Sequence, residues 1–576
     1  MKKNRALCAG LFALGVGYGA FAEDLKPYAL IVMLDGMRAD MARVADMPYL
    51  RSVIDGKWHP DYKCASSLAG QNLDDAMTYS YANHSSIICG VKRVKHNVAF
   101  NCDVGIGNFK RWPSWQTLVV RNRPGVKALF CTDGEPPIAK DNATIEWVAA
   151  GAKAAAVLSD RLGESDAPQA LSLFLEDPDA AGHGSGYFPS GDNYLAMCST
   201  NDMRLAKVLE AIRRRPTFAR EDWLIMLTAD HGGIHQMHGE MDAHTRTVPI
   251  ILCGRHVVQG TLAGLPRNYD LAATALRHFG LDPKVFELDG EPIGSILSPV
   301  RTAGNLAESM CLYFPFSPQL AGSCKMSTRN AVSGGWTNER VGDPTYLNFS
   351  VPKDGVVGEC AWIGGESGSV NAIRFAGTET DFRGADGSFS FAFWIREELA
   401  RSADEQASIF GNMDIASPRS PGFQLVGNVK QLRCKRGVCL EYLQGDGTRK
   451  LMGPYFLDDF KWKFLAMTVS GDGVVMFYGG GLDGRLHSMA GDGRGARFVS
   501  GLPIHLGQDG TGRYGHNFNG FLDELAFWKR ALSDAEIQSL YRAGLKHESP
   551  FSQSSGKPGF ETWRATDHSA EAGSKK

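Results

Sequence analysis

Three apolar segments of strand length run directly into side chains that can bind a metal ion. They end, in chain order, at Asp35, at Asp179 with His183, and at Asp230 with His231. Carboxylates and imidazoles beside a buried strand are costly unless they are paired or bound to a metal. This mixture of ligands suits zinc and, less specifically, manganese. The three segments together predict one metal-dependent active site.

The elements that position these residues follow from the alternation of strand-like and helical segments over residues 23–305. Such alternation predicts an α/β domain with a largely parallel sheet covered by helices, and ligands gather beyond the carboxyl ends of such strands. Apolar residues at helical spacing predict a helix over Met203–Arg214. Because Asp179 and His183 are four residues apart, one helical turn would direct both toward one centre.

The bulk composition limits the classes of partner. A chain of 576 residues is too long for one ordinary core, so two or more domains are expected. The formal net charge of −2 gives no sign of a surface for nucleic-acid polymers or acidic membranes.

Residues 1–22 have a basic start, an apolar stretch and a small-x-small end. This anatomy predicts a cleaved signal peptide and a periplasmic or secreted protein. The alternative is a membrane anchor, which the short length and the glycines of the segment disfavour. No later segment predicts a membrane span.

The chain has twelve cysteines, and Cys8 lies in the predicted signal peptide. An oxidising compartment allows disulfides, and the odd number that remains leaves at least one thiol unpaired within the chain. Cys434 and Cys439 are candidates to staple a hairpin. The cysteine spacing does not indicate a zinc site.

After about residue 305 the pattern changes to short alternating segments separated by glycine-rich turns. This pattern predicts an all-β sandwich over residues 308–546. Phe389, Phe391 and Phe393 would share one face of a strand, as core residues rather than sugar platforms. Ser533 and Glu536 form a capping box that predicts a short closing helix. Residues 547–576 are predicted to be disordered from their Ser, Gly, Lys and Glu content.

The first domain contains four motifs in chain order: Asp35-Gly36-Met37-Arg38-Ala39-Asp40, Ser80-Tyr81-Ala82-Asn83-His84, Asp177-Pro178-Asp179-Ala180-Ala181-Gly182-His183 and Asp230-His231-Gly232. They resemble the alkaline phosphatase superfamily, and its type I phosphodiesterases and nucleotide pyrophosphatases in particular. Each motif is weak alone, but the four stand in order over residues 28–300. The resemblance implies an α/β/α sandwich that hydrolyses phosphate esters with two divalent metal ions, usually Zn2+ with Mn2+ as the alternative.

The resemblance also implies the ligands of the two metals. One metal would be bound by Asp35, Asp230 and His231, and the other by Asp179, His183 and a later histidine. His238 and His244 are both candidates for that last position. His238-Gly239 resembles many secreted members, whereas His244-Thr245 resembles the related phosphomutases at a spacing that is one residue short.

Ser80 is the predicted nucleophile, because the family places Thr or Ser three residues before the Asn of its Asn-His pair. A neighbouring metal would activate this hydroxyl, and Asn83 would donate a hydrogen bond to a phosphoryl oxygen. Thr78 is a competing nucleophile. Arg38 is either a contact for the substrate anion or a solvated surface residue.

The function implied is that of a secreted two-metal hydrolase of phosphate esters, a phosphodiesterase or nucleotide pyrophosphatase with a phosphoseryl intermediate. A phosphomonoesterase or a sulfatase of the same superfamily is the alternative. The Cys/Ser-x-Pro-x-Arg pattern of sulfatases does not occur near residue 80. Phosphomutase chemistry fits poorly with an exported protein.

Aromatic-rich segments recur in the second region, at residues 389–395, 462–464 and 518–528. Through them, residues 308–546 resemble a laminin-G-like, concanavalin A-like jelly roll. It implies a glycan or extracellular-matrix partner, although the fold alone does not fix function. A hypothesis of another class is a non-catalytic glycan- or matrix-binding protein with a degenerate first domain, which the complete set of candidate ligands argues against.

Overall fold

The structure is a computed structural model that describes residues 25–551. The gaps in this description are residues 136–143, 189–190, 241, 295–296, 299–304, 317–331, 333–334, 343–346, 352–354, 359, 365–370, 399–405, 428–436, 458 and 517. The predicted signal peptide, Cys434 and most of the predicted tail therefore lie outside the described residues.

The first sheet has nine strands and belongs to the N-terminal half. Strands β1 to β9 are Lys26–Leu34, Lys63–Gln71, Ala128–Thr132, Glu146–Ala149, Ala170–Leu175, Glu221–Thr228, Thr247–Gly254, Gly260–Leu262 and Leu297–Ser298. Their order across the sheet is β4-β3-β5-β1-β6-β7-β2-β8-β9. The block from β4 to β6 is parallel, and β7 runs antiparallel to β6 and β2.

Strand β1 lies between β5 and β6 and sets the position of the predicted site. Leu34 of β1 pairs with Leu175 of β5, and Met33 pairs with Thr228 of β6. All three strands point the same way, so their carboxyl ends meet at one edge. The residues that follow these three strands therefore lie close together.

Helices cover both faces of this sheet. Helices α1 to α10 are Met41–Val44, Pro48–Ile54, Ser80–Cys89, Arg93–His96, Trp115–Asn122, Ala154–Leu162, Asp177–Ser185, Asp192–Arg213, Ala243–Arg246 and Asp270–His278. Short 3-10 turns occupy Asn101–Ile106, Gly151–Lys153, Phe218–Arg220 and Pro283–Phe286.

Helix α8 is longer than the helix predicted over Met203–Arg214, because it begins at Asp192. Met203, where the predicted helix begins, is 55% exposed. Leu205, Val208 and Ile212 of the same helix are buried in the core. An unbranched apolar side chain at a surface position is common and costs little.

The C-terminal half forms two antiparallel sheets that pack face to face. Strands β10 to β24 are Met310–Phe314, Thr337–Gly342, Leu347–Val351, Cys360–Ile363, Asn371–Ala376, Phe389–Glu397, Ala407–Gly411, Phe423–Gly427, Gly437–Leu443, Arg449–Phe456, Lys463–Val469, Val474–Gly480, Leu486–Asp492, Ile504–Leu506 and Gly520–Trp528. One sheet has the order β12-β13-β24-β15-β20-β21-β22, with β10 also pairing with β24, and the other has β11-β14-β23-β16-β17-β18-β19.

Strand β15 shows how this sandwich is held together. Phe389, Phe391 and Phe393 point into the core between the sheets, and Trp394 points to the outer face. There it stacks on Tyr541 of the closing helix α11, Asp534–Leu545, which also buries the outer face of the strand. The predicted capping box at Ser533 is present at the start of that helix. The predicted fold class, an α/β domain followed by an all-β sandwich, is confirmed.

No helix in the described part of the chain combines the length and the apolar character that a bilayer crossing requires.

Truncation of Leu30 tests how far the first domain depends on β1. Leu30 is fully buried at the centre of the sheet, so Leu30→Ala is expected to lower the free energy of unfolding by about 2–5 kcal/mol, through lost apolar contact and a cavity. Urea denaturation of the full chain measures this change. The control is Val285→Ala, at a side chain that is 73% exposed, for which a change within about 0.5 kcal/mol is expected. Equal losses from the two variants would contradict the central position of β1.

Candidate metal centre

The candidate ligands come from the ends of the three adjacent parallel strands. Asp35 follows β1, and Asp230 and His231 follow β6 with one residue between. Asp179 lies in the first turn of α7, which begins two residues after β5. Gly36 allows the β1 loop to approach α7, because its φ is +70° and a Cβ there would lie 2.8 Å from the Asp179 Cα.

Asp35, Asp230 and His231 form the first group of candidate ligands. All three are almost fully buried, and His231 Nε2 lies 3.4 Å from Asp35 Oδ1 and 3.2 Å from Asp230 Oδ2. Among the described residues, neither of these carboxylate oxygens has a hydrogen-bond partner. A buried carboxylate oxygen without a donor fits the coordination of a cation. The donor set therefore fits a divalent metal ion.

Asp179, His183 and His238 form the second group. His183 Nε2 is 3.4 Å from Asp179 Oδ2 and 3.1 Å from His238 Nε2. The distance from His238 Nε2 to Asp179 Oδ1 is 3.7 Å. The other ring nitrogens are held by backbone carbonyls, since His183 Nδ1 contacts Gln236 O and His238 Nδ1 contacts Thr78 O. This leaves both Nε2 atoms facing Asp179, which is the usual arrangement of metal-binding imidazoles.

The two groups adjoin each other through His231. Its Nε2 lies 3.8 Å from Asp179 Oδ1, and its ring stacks on that of His238 with centroids 3.7 Å apart. Burial and the neighbouring His231 lower the pKa of His238 to about 4, so its ring is neutral near pH 7. Neutral imidazole is the form that binds a metal. The arrangement can therefore hold two cations side by side.

Ser80 and Thr78 have different surroundings, which bears on the choice of nucleophile. Ser80 begins helix α3 and places its Oγ 3.1 Å from His231 Nε2. The Thr78 hydroxyl instead donates to Glu240 O and accepts from the Gly239 amide. The Thr78 hydroxyl thus stabilises the loop that carries His238, whereas Ser80 faces the candidate ligands.

The Asn83 side chain, on helix α3, is fully buried. Its Oδ1 accepts from the Leu73 amide, and its Nδ2 donates to Tyr79 O at 3.2 Å. An amide nitrogen carries two hydrogens, so one hydrogen is used in the bond to Tyr79 O and the other is left for a ligand. Asn83 therefore fixes the start of α3 in addition to any contact with substrate.

His84 is a member of the site that the sequence analysis did not assign. Its Nε2 lies 3.0 Å from Asp35 Oδ2 and 3.2 Å from Asp230 Oδ2. Burial alone would lower the pKa of His84, but the two carboxylates raise it to about 10. Its place directly after Asn83 in the quoted motif was the available signal.

The electrostatics of Asp35 and Asp230 differ. Burial and then the charge of Asp230 raise the pKa of Asp35 well above its ordinary value. Burial would also raise the pKa of Asp230, but His231 and His84 hold it below its ordinary value. Two carboxylates forced together divide in this way when only one can stay charged.

His244 and Arg38 lie away from both groups of ligands. His244 Nδ1 is 2.8 Å from the Arg38 Nη1, and its Nε2 is 3.1 Å from Pro454 O of the sandwich. The structure thus brings His238 to Asp179 and places His244 at the domain interface. Arg38 is 1% exposed, so it is not the solvated surface residue that the sequence allowed, and its guanidinium is bound to Asp40 and Gly233 O.

Comparison with protein families gives two matches. Residues 152–283 match the Metalloenzyme superfamily, and residues 367–538 match the Concanavalin A-like lectin/glucanases superfamily. The first match spans Asp179, His183, Asp230 and His231. These matches confirm that the chain carries an alkaline phosphatase-like metalloenzyme domain followed by a concanavalin A-like domain, and the superfamily implies the use of divalent metal.

Individual relatives are distant. A phosphopentomutase of Edwardsiella ictaluri (strain 93-146) is 33% identical over 101 residues, which is 17% of this chain and 22% of that protein. Among solved structures, murine ectonucleotide pyrophosphatase/phosphodiesterase 5 in complex with AMP has 13% identity and a TM-score of 0.35, covering 46% of this chain and 100% of that one. The binding domain of botulinum neurotoxin DC has 13% identity and a TM-score of 0.30, covering 42% and 52%.

Removal of each candidate histidine tests which one completes the second group. His238→Ala is expected to lose one of two metal equivalents, because it removes an Nε2 that faces Asp179. His244→Gln is the matched control and should retain both equivalents at saturating metal. The measurement is metal per chain by inductively coupled plasma mass spectrometry after dialysis. Loss of an equivalent from His244→Gln alone would reverse the assignment.

Proposed function

We propose that this protein hydrolyses phosphate diesters or pyrophosphates through a phosphoseryl intermediate on Ser80. The observation that carries the proposal is the position of the Ser80 Oγ, at the first residue of α3 and 3.1 Å from His231 Nε2. A helix N-terminus attracts a phosphoryl group through its free amides and its dipole. The nucleophile, the anion-binding end of a helix and both groups of ligands would then surround one phosphorus atom.

The proposed reaction has two displacements. The Ser80 oxygen loses its proton and attacks phosphorus, and the ester or phosphate oxygen of the leaving group departs, so that the phosphoryl group with its remaining ester is bound to the serine. Water then cleaves the serine–phosphorus bond, which releases a phosphate monoester and restores the hydroxyl. Metal ions held by the two groups, Zn2+ by donor type or Mn2+, would supply Lewis acidity that lowers the pKa of the serine hydroxyl and of water. Asn83 would direct its second amide hydrogen to a non-bridging oxygen.

We extend the proposal to export of the chain and to a binding role for the sandwich. The signal-like residues 1–22 support export to the periplasm or outside the cell. The match to concanavalin A-like lectins supports a glycan or matrix partner for the sandwich. A catalytic first domain would in that case act near the surface to which the sandwich binds.

The phosphopentomutase relative supports a second candidate, a phosphomutase that transfers the phosphoryl group from the serine back to a sugar. The aligned segment is 101 residues long. Incubation with pentose phosphates distinguishes the two. Interconversion of the sugar isomers without release of phosphate would favour the mutase, and release of phosphate would favour a hydrolase.

The preferred ester is tested with nitrophenyl substrates. A phosphate diester should give the highest kcat/KM, above the phosphate monoester and the sulfate of the same leaving group. Each is assayed by release of nitrophenolate with Zn2+ and with Mn2+ supplied separately. A preference for the monoester or for the sulfate would replace the diesterase with that alternative.

Replacement of the Ser80 hydroxyl tests the nucleophile. Ser80→Ala should lower kcat by at least about a thousandfold, because the covalent step is removed, and a rapidly quenched reaction should no longer show a phosphoryl group on this peptide by mass spectrometry. Ser86→Ala is the control, since the Ser86 hydroxyl lies on the same helix but contacts His96. Metal-dependent turnover that survives in Ser80→Ala would exclude this residue as nucleophile.

A further inference from the structure

The C-terminal sandwich contacts the loops that carry the candidate ligands, and most of the side chains in this contact are buried. The contact has three parts, one for each of the three strand ends. Each part involves a residue within a few positions of a candidate ligand, and the side chains that meet the sandwich do not belong to either group of ligands.

The first part involves the loop after β1. Three residues beyond Asp35, Arg38 forms a buried ion pair with Asp40. From the sandwich, the His487 Nδ1 lies 2.9 Å from Asp40 Oδ2, and the Ser488 amide donates to the same oxygen. The Asp40 carboxylate is therefore held from both domains at once.

The second part involves the loop after β6. The guanidinium of Arg38 donates to Gly233 O, two residues after His231. It also contacts His244, whose other ring nitrogen reaches Pro454 O of the sandwich. The same cation thus joins the β1 loop, the β6 loop and, through His244, the sandwich.

The third part involves the loops of His183 and His238. These loops are joined to each other, because the Tyr187 amide donates to His235 O and the His235 amide donates to Phe188 O. Phe456 of the sandwich packs against both, with ring centroids 5.2 Å from His235 and 6.0 Å from Phe188. Tyr187 continues inward and donates its hydroxyl hydrogen to Asp179 Oδ1.

We propose that the sandwich is a brace for the metal centre, in which His487 and Phe456 act as positioning residues that set metal affinity. The inference rests on the proposed ligands. Ligand loops that are held in place lose less conformational freedom when the metal binds, and the outer partners of ligands commonly change affinity tenfold or more. This positioning role does not require the sandwich to bind a glycan or matrix partner.

Titration of the full-length protein with Co2+ tests the brace. The metal-free chain is titrated by its visible absorption and in competition with a chelator, without substrate. His487→Ala should raise the Kd for Co2+ by about 10–100-fold, because Asp40 loses its partner from the sandwich. His487→Asn keeps an N–H donor near the Nδ1 position and should restore affinity to within about threefold of the unsubstituted chain. Phe456→Ala should weaken binding and alter the cobalt spectrum through the His183 and His238 loops.

The matched control is Arg485→Gln. Arg485 makes an exposed ion pair across the same interface, with its Nη2 2.8 Å from Asp192 Oδ1, but it does not contact a ligand loop. Its Kd should stay unchanged. Equal loss of affinity in this control would show that interface stability alone matters and would overturn the brace.

Wild-type affinity in folded His487→Ala and Phe456→Ala would also overturn the inference, with folding checked by circular dichroism. Should His487→Ala not fold, Phe456→Ala decides. Because no substrate is present, an error in the proposed ester leaves this result unchanged. Conversely, intact Co2+ affinity with no diester turnover would count against the proposed function alone.

Discussion

Two carboxylates meet at the end of a buried sheet, and the candidate site depends on how their mutual repulsion is relieved. β1 and β6 are parallel neighbours, so Asp35 and Asp230 must emerge side by side where water is excluded. Two such charges repel unless a cation lies between them. The imidazole of His84 partly meets this need, and the free carboxylate oxygens leave room for metal to complete it. Helices α7 and α3 supply Asp179, Ser80 and His84 at the same edge.

The candidate ligands could be identified from sequence because their signals are local. Apolar strand followed by acid is a pattern within ten residues, and the spacing of Asp179 and His183 needs only one helical turn. The fold class followed from the same periodicities. Ser80 could be ranked above Thr78, although their different hydrogen bonds depend on where the His238 loop returns.

The features that could not be predicted from sequence depend on contacts between distant segments. His238 and His244 are equal as residue types, and the structure separates them through packing against Pro454, more than two hundred residues away. Arginine is a residue type usually found at the surface, yet Arg38 is buried against Asp40 and His244 of its own domain, and each of these contacts the sandwich. Its burial could not be read from neighbours in sequence, since Gly233 and His244 reach it only after the sheet has formed.

The contact between Asp40 and His487 also has a consequence for biosynthesis. Asp40 and His487 are separated by 447 positions, so a nascent chain displays every proposed ligand long before its brace has been translated. If the sandwich sets metal affinity, early metal capture by an unfinished chain is weak. Loading would then follow docking of the second domain, in whichever compartment the whole chain folds.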